Sequence, residues 1–198
     1  MRAALGVPGE HVFEAEVPAG LVLWHQHVDH LELWDQNATR VLRPLATTGN
    51  RPHVVDTYGN TVAWTCDLPC GLHLTDAETG QDRLVSPPPG KAVDDTGLAA
   101  FSPDGSLLAV LWEVRRGPQP RAHVLALVDV AQATSKLVPG PDADVFTPCG
   151  LAWSPSGRWL FHSSGRGTML SGYRIGDASA FAIRRTSTPG TFACLAVP

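Results

Sequence analysis

The sequence predicts an all-β fold: an array of about four repeated units, each of four short antiparallel strands. Three observations carry that prediction. A motif recurs, Gly97-Leu-Ala-Ala-Phe-Ser-Pro-Asp-Gly105 returning as Gly150-Leu-Ala-Trp-Ser-Pro-Ser-Gly157, and an apolar stretch follows each copy, Leu107 to Trp112 and Trp159 to His162. The 198 residues include 19 glycines and 17 prolines, about 18% against the roughly 12% of average usage, which punctuates the chain with turns and favours short strands. No segment shows a 3.6-residue apolar period capped at both ends, so long helices are not expected.

The units follow in order along one domain, 1–198. Unit one, 12–50, has a turn at Gly20, the apolar Leu21-Val-Leu-Trp24, then Leu31-Glu-Leu-Trp-Asp35 and Thr39-Arg-Val-Leu42. Unit two, 51–93, has a turn at Gly59, a strand through Trp64, then Leu72-His-Leu-Thr-Asp76 and a return through Leu84. Unit three, 94–146, turns at Gly105 and continues with Leu125-Ala-Leu-Val-Asp129 and Thr134-Ser-Lys-Leu-Val138. Unit four, 147–190, turns at Gly157 and ends in a degenerate copy, Gly172-Tyr-Arg-Ile-Gly-Asp177 with Phe181-Ala-Ile183. Glycines 20, 59, 105 and 157 are thus spaced by 39, 46 and 52 residues. The alternating strand before each Asp is a period-2 pattern, and Asp suits the turn because its carboxylate accepts from backbone N–H groups just ahead. Residues 191–198 read as the first strand of a further unit or as a closing strand.

Four strands in 40 to 50 residues is the unit of a β-propeller blade. The Phe101-Ser-Pro-Asp-Gly105 and Trp153-Ser-Pro-Ser-Gly157 turns, each followed by an apolar strand and later by an Asp turn, resemble the blades of TolB/WD40-like β-propeller proteins over about residues 12–190. The Trp-Asp signature of WD40 repeats occurs once, at Trp34-Asp35, with no Gly-His before it, so the resemblance is to the loosely patterned, TolB-like branch. It implies a scaffold or binding surface and transfers no catalytic residue. Four blades is the lower limit of the architecture. A segment of a larger, incomplete ring is therefore favoured over a closed four-blade toroid, with missing blades or a second copy in a homodimer completing it.

Charge and hydropathy exclude several classes. Net charge is −4, with 15 Lys+Arg against 19 Asp+Glu, the wrong balance for nucleic-acid binding. The apolar run from Leu107 to Trp112 is far short of the roughly 20 residues that span a bilayer. With no signal-peptide pattern at the start, the default expectation is a cytoplasmic protein. It becomes extracytoplasmic if the chain is an incomplete fragment and Cys66 and Cys70 are bonded.

Four groups of residues invite chemistry. Trp24-His-Gln-His-Val-Asp-His30 sets His25 and His27 on one strand face with His30 close behind, a pattern that could bind zinc; the preferred reading is a polar strand end with no metal. Cys66-Asp-Leu-Pro-Cys70 spans a hairpin short enough for a disulfide, with free thiols the next alternative and metal or redox roles behind. Cys149 and Cys194 read as small buried residues. Ser163-Ser-Gly-Arg-Gly-Thr168 lacks the Lys-Ser/Thr of a phosphate loop, and no Gly-Xaa-Ser-Xaa-Gly nucleophile elbow occurs. The tryptophans read as core.

The expected function is accordingly a non-enzymatic binding or scaffold module for a protein or peptide, without cofactor. The candidate contacts are the loops after the apolar strands: His25, His27 and His30, then Asp67 beside the cysteines, then Arg115 and Arg116, then Arg166. A small-ligand sensor or regulatory propeller attached to an enzyme is the alternative, and a metal-dependent hydrolase built on His25, His27 and His30 is the weaker third.

Overall fold

The computed structural model describes residues 10–47, 50–67, 70–89, 93–114, 122–138, 150–164, 169–176 and 180–185. Among them are sixteen strands and no helix. They form four sheets of four strands, and in each sheet the spatial order follows the chain. Sheet one is β1 (His11–Val17), β2 (Gly20–His25), β3 (His30–Trp34) and β4 (Val41–Thr47). Sheet two is β5 (Pro52–Tyr58), β6 (Thr61–Cys66), β7 (His73–Asp76) and β8 (Asp82–Leu84). Sheet three is β9 (Val93–Phe101), β10 (Leu107–Val114), β11 (Ala122–Asp129) and β12 (Thr134–Leu137). Sheet four is β13 (Leu151–Trp153), β14 (Trp159–Ser164), β15 (Met169–Arg174) and β16 (Ala180–Arg185). All pairings between neighbours are antiparallel.

The chain divides into two compact units, Met1–Val85 with sheets one and two, and Ser86–Pro198 with sheets three and four. Within each unit two sheets pack face to face. In the first, Val22, Leu31 and Leu33 of sheet one meet Val62, Trp64 and Ala77 of sheet two. In the second, Ala109, Leu111 and Leu125 meet Trp153 and Leu160. The second strands are apolar on both faces: Leu21, Val22 and Leu23 in β2, and Leu108 through Trp112 in β10, are all buried. Alternation is lost there because both faces of the sheet are covered. Burying each such Val or Leu contributes about 1.5–3 kcal/mol. Fourth strands β8 and β12 hold exposed and half-buried residues, as edge strands do. The first strands bulge, between Phe13 and Ala15 in β1 and between Val54 and Asp56 in β5; each extra residue sharpens the local twist.

Two kinds of hairpin start the sheets. In sheets three and four a five-residue turn, 102–106 and 154–158, joins the first two strands. Ser102 Oγ donates to Asp104 Oδ1 (2.7 Å) and accepts from the Leu107 N–H (3.0 Å). Ser154 repeats the second contact with the Trp159 N–H, also at 3.0 Å. Sheets one and two use two-residue turns instead, Pro18-Ala19 and Gly59-Asn60. Gly59 takes φ 53°, where a side chain would be strained. Gly20 is not a turn residue at all: it opens β2, and a Cβ there would run into the Trp34 carbonyl oxygen. The later hairpins are alike in three sheets. Asp35 accepts from the Thr39 N–H (2.7 Å), Asp76 from the Thr79 N–H (2.7 Å), and Asp129 from the Gln132 N–H (2.9 Å).

Candidate functional site

Each meander has two ends. At one, the first and second strands turn, as do the third and fourth; at the other, the second strand hands over to the third. In the first unit both sheets place these ends together. At the turn end the Ala19 N–H donates to Asn60 Oδ1 (2.9 Å). At the loop end the Arg51 guanidinium lies 4.4 Å over the Trp24 ring, and the Asp67 N–H donates to the Arg51 carbonyl (3.1 Å).

Register builds a histidine row at the loop end of sheet one. His11 pairs with His25, and His25 with His30, so the three side chains leave one face of the sheet. His11 Nε2 is 3.2 Å from Glu32 Oε2, an oxygen that also accepts from Trp34 Nε1 at 2.9 Å. The His11 ring meets His25 edge-on with centroids 4.4 Å apart. Glu10 spans the outer part: its Oε2 is 3.7 Å from His25 Nε2 and its Oε1 is 3.9 Å from His27 Nε2. The row runs from buried to wet, the His11 side chain being 8% exposed and that of His27 71%. Nδ1 of His11 and Nδ1 of His25 are buried and find no hydrogen-bond partner among the described residues. Among those residues no three His, Cys, Asp or Glu side chains are arranged to hold a metal ion.

Sheet two carries the second cluster. Cys66, the last residue of β6, is bonded to Cys70, with Cα atoms 5.8 Å apart. His73 stacks on Trp64 at 4.2 Å. Its Nδ1 lies 2.7 Å from Asp82 Oδ2 and its Nε2 3.0 Å from the Cys70 carbonyl oxygen. Asp82 Oδ1 accepts from Thr75 Oγ1 (2.6 Å), which accepts from Trp64 Nε1 (2.8 Å). Burial pushes the Asp82 carboxyl up, but the hydrogen bonds from His73 and Thr75 outweigh it and hold the group below the usual carboxylate range.

Of the residues singled out from the sequence, His25, His27, His30 and Asp67 all lie at the loop end of the first unit. Arg115, Arg116 and Arg166 fall outside the described residues, as do Cys149, Cys194 and the stretch 191–198. Sequence reasoning missed Glu10, His11, Glu32 and His73. The available signal was position: all eight histidines lie in the loop-end halves of their sheets. His123, for one, stands 3.9 Å from Glu113 near the start of β11. Two crevices between sheets were also unforeseen. One, of about 450 Å³, lies at the turn end of the first unit between Leu33, Leu42, Arg43, Asn60 and Glu78. The other, of about 530 Å³, lies in the second unit between Leu107, Leu127, Tyr173 and Ile175.

The sequence matches no protein-family profile and no curated protein. Solved structures do resemble it. An oligogalacturonate lyase in complex with manganese superposes with a TM-score of 0.55 at 13% identity, over 86% of this chain and 44% of that one. TolB from Acinetobacter baumannii gives 0.52 at 16% identity, over 94% and 44%. The periplasmic gluconolactonase of Pseudomonas aeruginosa gives 0.53 at 18% identity, over 89% and 55%. The chain therefore spans about half the length of the structures it matches. Two of these three are enzymes, and a 6-phosphogluconolactonase-like protein from Bacteroides fragilis is a further neighbour. They overturn the expectation that the chain is not an enzyme. The missing linear motifs were a weak reason for it, because a propeller assembles its sites from loops of several blades, none of which needs a signature of its own. No helix among the described residues is long and apolar enough to cross a membrane. Four antiparallel four-stranded meanders, two to a unit, and this set of neighbours show in this chain the fold of β-propeller blades.

Proposed function

We propose that the chain is a binding module that takes a protein or peptide partner at the loop end of its first unit. The observation that carries this reading is the convergence at that end of ionisable and aromatic groups left open to solvent. Glu10 and His27 have side chains 61% and 71% exposed, Val28 is 46% exposed at the loop tip, and the Arg51–Trp24 pair and Asp67 stand beside them. Such a mixture of charge, a small apolar tip and an aromatic ring suits a peptide better than a flat apolar partner. Among the neighbours, the nidogen/laminin complex supports partner binding on this architecture.

A second reading is favoured by the buried, unpartnered Nδ1 atoms of His11 and His25. Buried hydrogen-bonding atoms left unspent cost about 1–3 kcal/mol each, and a small polar ligand would satisfy them. The oligogalacturonate lyase and lactonase neighbours direct that search to sugar acids, bound or turned over.

Panning a random-peptide display library on the chain, with a thermal-shift panel of galacturonate, gluconate and 6-phosphogluconate alongside, separates the two. The first reading expects peptides whose affinity falls about tenfold or more when Gln26, His27 and Val28 are replaced by alanine. Peptides indifferent to that change, together with a sugar acid that raises the melting temperature, replace it with the second.

A further inference from the structure

The Cys66–Cys70 bridge has polar company that a merely structural crosslink does not need. Cys66 is 2% exposed, whereas Cys70 is half-buried at the margin of the first unit's core. Trp64 pairs directly with His73, and Cys66 lies two residues beyond Trp64 on the same strand. Cys66 and His73 therefore share one sheet face as diagonal neighbours, at a spacing of roughly 7–8 Å. The His73 ring is fixed on three sides, by the Trp64 stack, by Asp82 and by the Cys70 carbonyl. Carboxylate and carbonyl are both acceptors, so either neutral tautomer donates to one of them and only the imidazolium donates to both. Asp82 is itself oriented by Thr75. A carboxylate that aligns an imidazole, with the far nitrogen directed at a reactive segment, is the logic of an activated nucleophile site.

We propose that Cys66–Cys70 is a thiol–disulfide exchange site, with His73 as its proton-handling group and Asp82 as the positioning residue. The co-reactant is a thiol, either a small molecule or the cysteine of another protein. Its thiolate attacks Sγ of Cys70, the less buried of the two cysteines. A mixed disulfide forms there, the Cys66–Cys70 bond breaks, and the electron pair leaves with Sγ of Cys66. The imidazolium across the sheet face stabilises that thiolate and gives it a proton. A second thiol passes its proton to the imidazole and, as thiolate, attacks the co-reactant's sulfur, releasing Cys70 as a thiolate that takes a proton from the ring or from water. One protein disulfide and two thiols thus become one protein dithiol and one small disulfide. Opening the bridge removes the covalent tie between Cys66 at the end of β6 and Cys70. The inference stands on sheet two alone and is independent of the proposed partner.

The test is exchange of the intact chain with reduced glutathione, quenched in acid and followed by mass spectrometry, with peptide mapping to locate the adduct. The expected result is a mixed disulfide on Cys70 while the chain remains folded. In His73→Gln the rate near neutral pH falls about tenfold or more, and the inflection due to the histidine leaves the rate–pH profile. Asp82→Asn retains the inflection but displaces it, a readout that loss of packing alone would not give. Circular dichroism confirms that each variant is folded, and either variant suffices should the other fail to fold. A bridge that reacts only on unfolding, an adduct on Cys66, or folded variants with the wild-type rate and profile would overturn the proposal.

Discussion

The two units are built from the same meander but spend their residues differently. The second carries the regular sequence repeat: five-residue Ser-Pro turns held by Ser102 and Ser154, and Trp153 donating its indole N–H to the Ala100 carbonyl of the neighbouring sheet at 2.9 Å. The first carries shorter, less regular hairpins, together with the histidine row, the disulfide and the His73–Asp82 network. Regularity of sequence marks the unit whose turns maintain the scaffold through local hydrogen bonds. Irregularity marks the unit where polar groups gather and chemistry is expected.

The sharpest way to test that contrast is through the cores, which should be equally costly to disturb in both units. Trp64→Ala in the first and Trp112→Ala in the second each remove a side chain no more than 2% exposed. Each should cost about 3–5 kcal/mol, read from urea titration. A much smaller loss for Trp64 would mean that the first unit is loosely packed, and that its irregularity is a defect.

Next in size come the hairpins. Gly20→Ala forces a Cβ against the Trp34 carbonyl, so the backbone must move. Gly59→Ala has open space around it and should cost only the left-handed strain, about 1–2 kcal/mol. A melting-temperature loss several times larger at position 20 than at 59 is expected, and equal losses would count against the placement of Gly20 under β3. In the second unit Trp153→Phe, which removes one inter-sheet hydrogen bond, should cost about 1 kcal/mol.

The smallest effect is pH dependence at the turns. The Ser102 hydroxyl and the Ser106 N–H hold the Asp104 carboxyl below its ordinary value of 3.8, and Thr39 and Thr79 do the same for Asp35 and Asp76. A carboxyl lowered by folding adds stability above its unfolded value and loses it as pH falls through the folded one. Asp104→Asn should therefore narrow the difference in stability between about pH 5 and about pH 2. An unchanged difference would remove the turn carboxylate from the account.

What was legible in the sequence was local chemistry. Ser-Pro-Asp-Gly turns, Asp turns and the close pair Cys66 and Cys70 each act within a few residues, so their signals survive in one dimension. Gly20 misled because it aligns with Gly105 as a turn glycine, yet the hairpin there is three residues shorter and the glycine falls into the strand. The candidate site was legible only in part. His25, His27 and His30 announce themselves by proximity. His11 and Glu32 join them through register across three strands, and a bulge in β1 shifts that register in a way composition does not reveal. His73 and Asp82 are partners through a hairpin in which both look like ordinary strand residues.

The central claim is that the loop end of the first unit is the binding end. Amide hydrogen exchange of the chain, with and without a peptide obtained by panning, tests it most directly. The account predicts slowed exchange at 26–30 and 70–73, with little change around Ala19, Asn60 and Glu78 at the turn end. Protection confined to the turn end, with residues 26–30 exchanging as before, would contradict it.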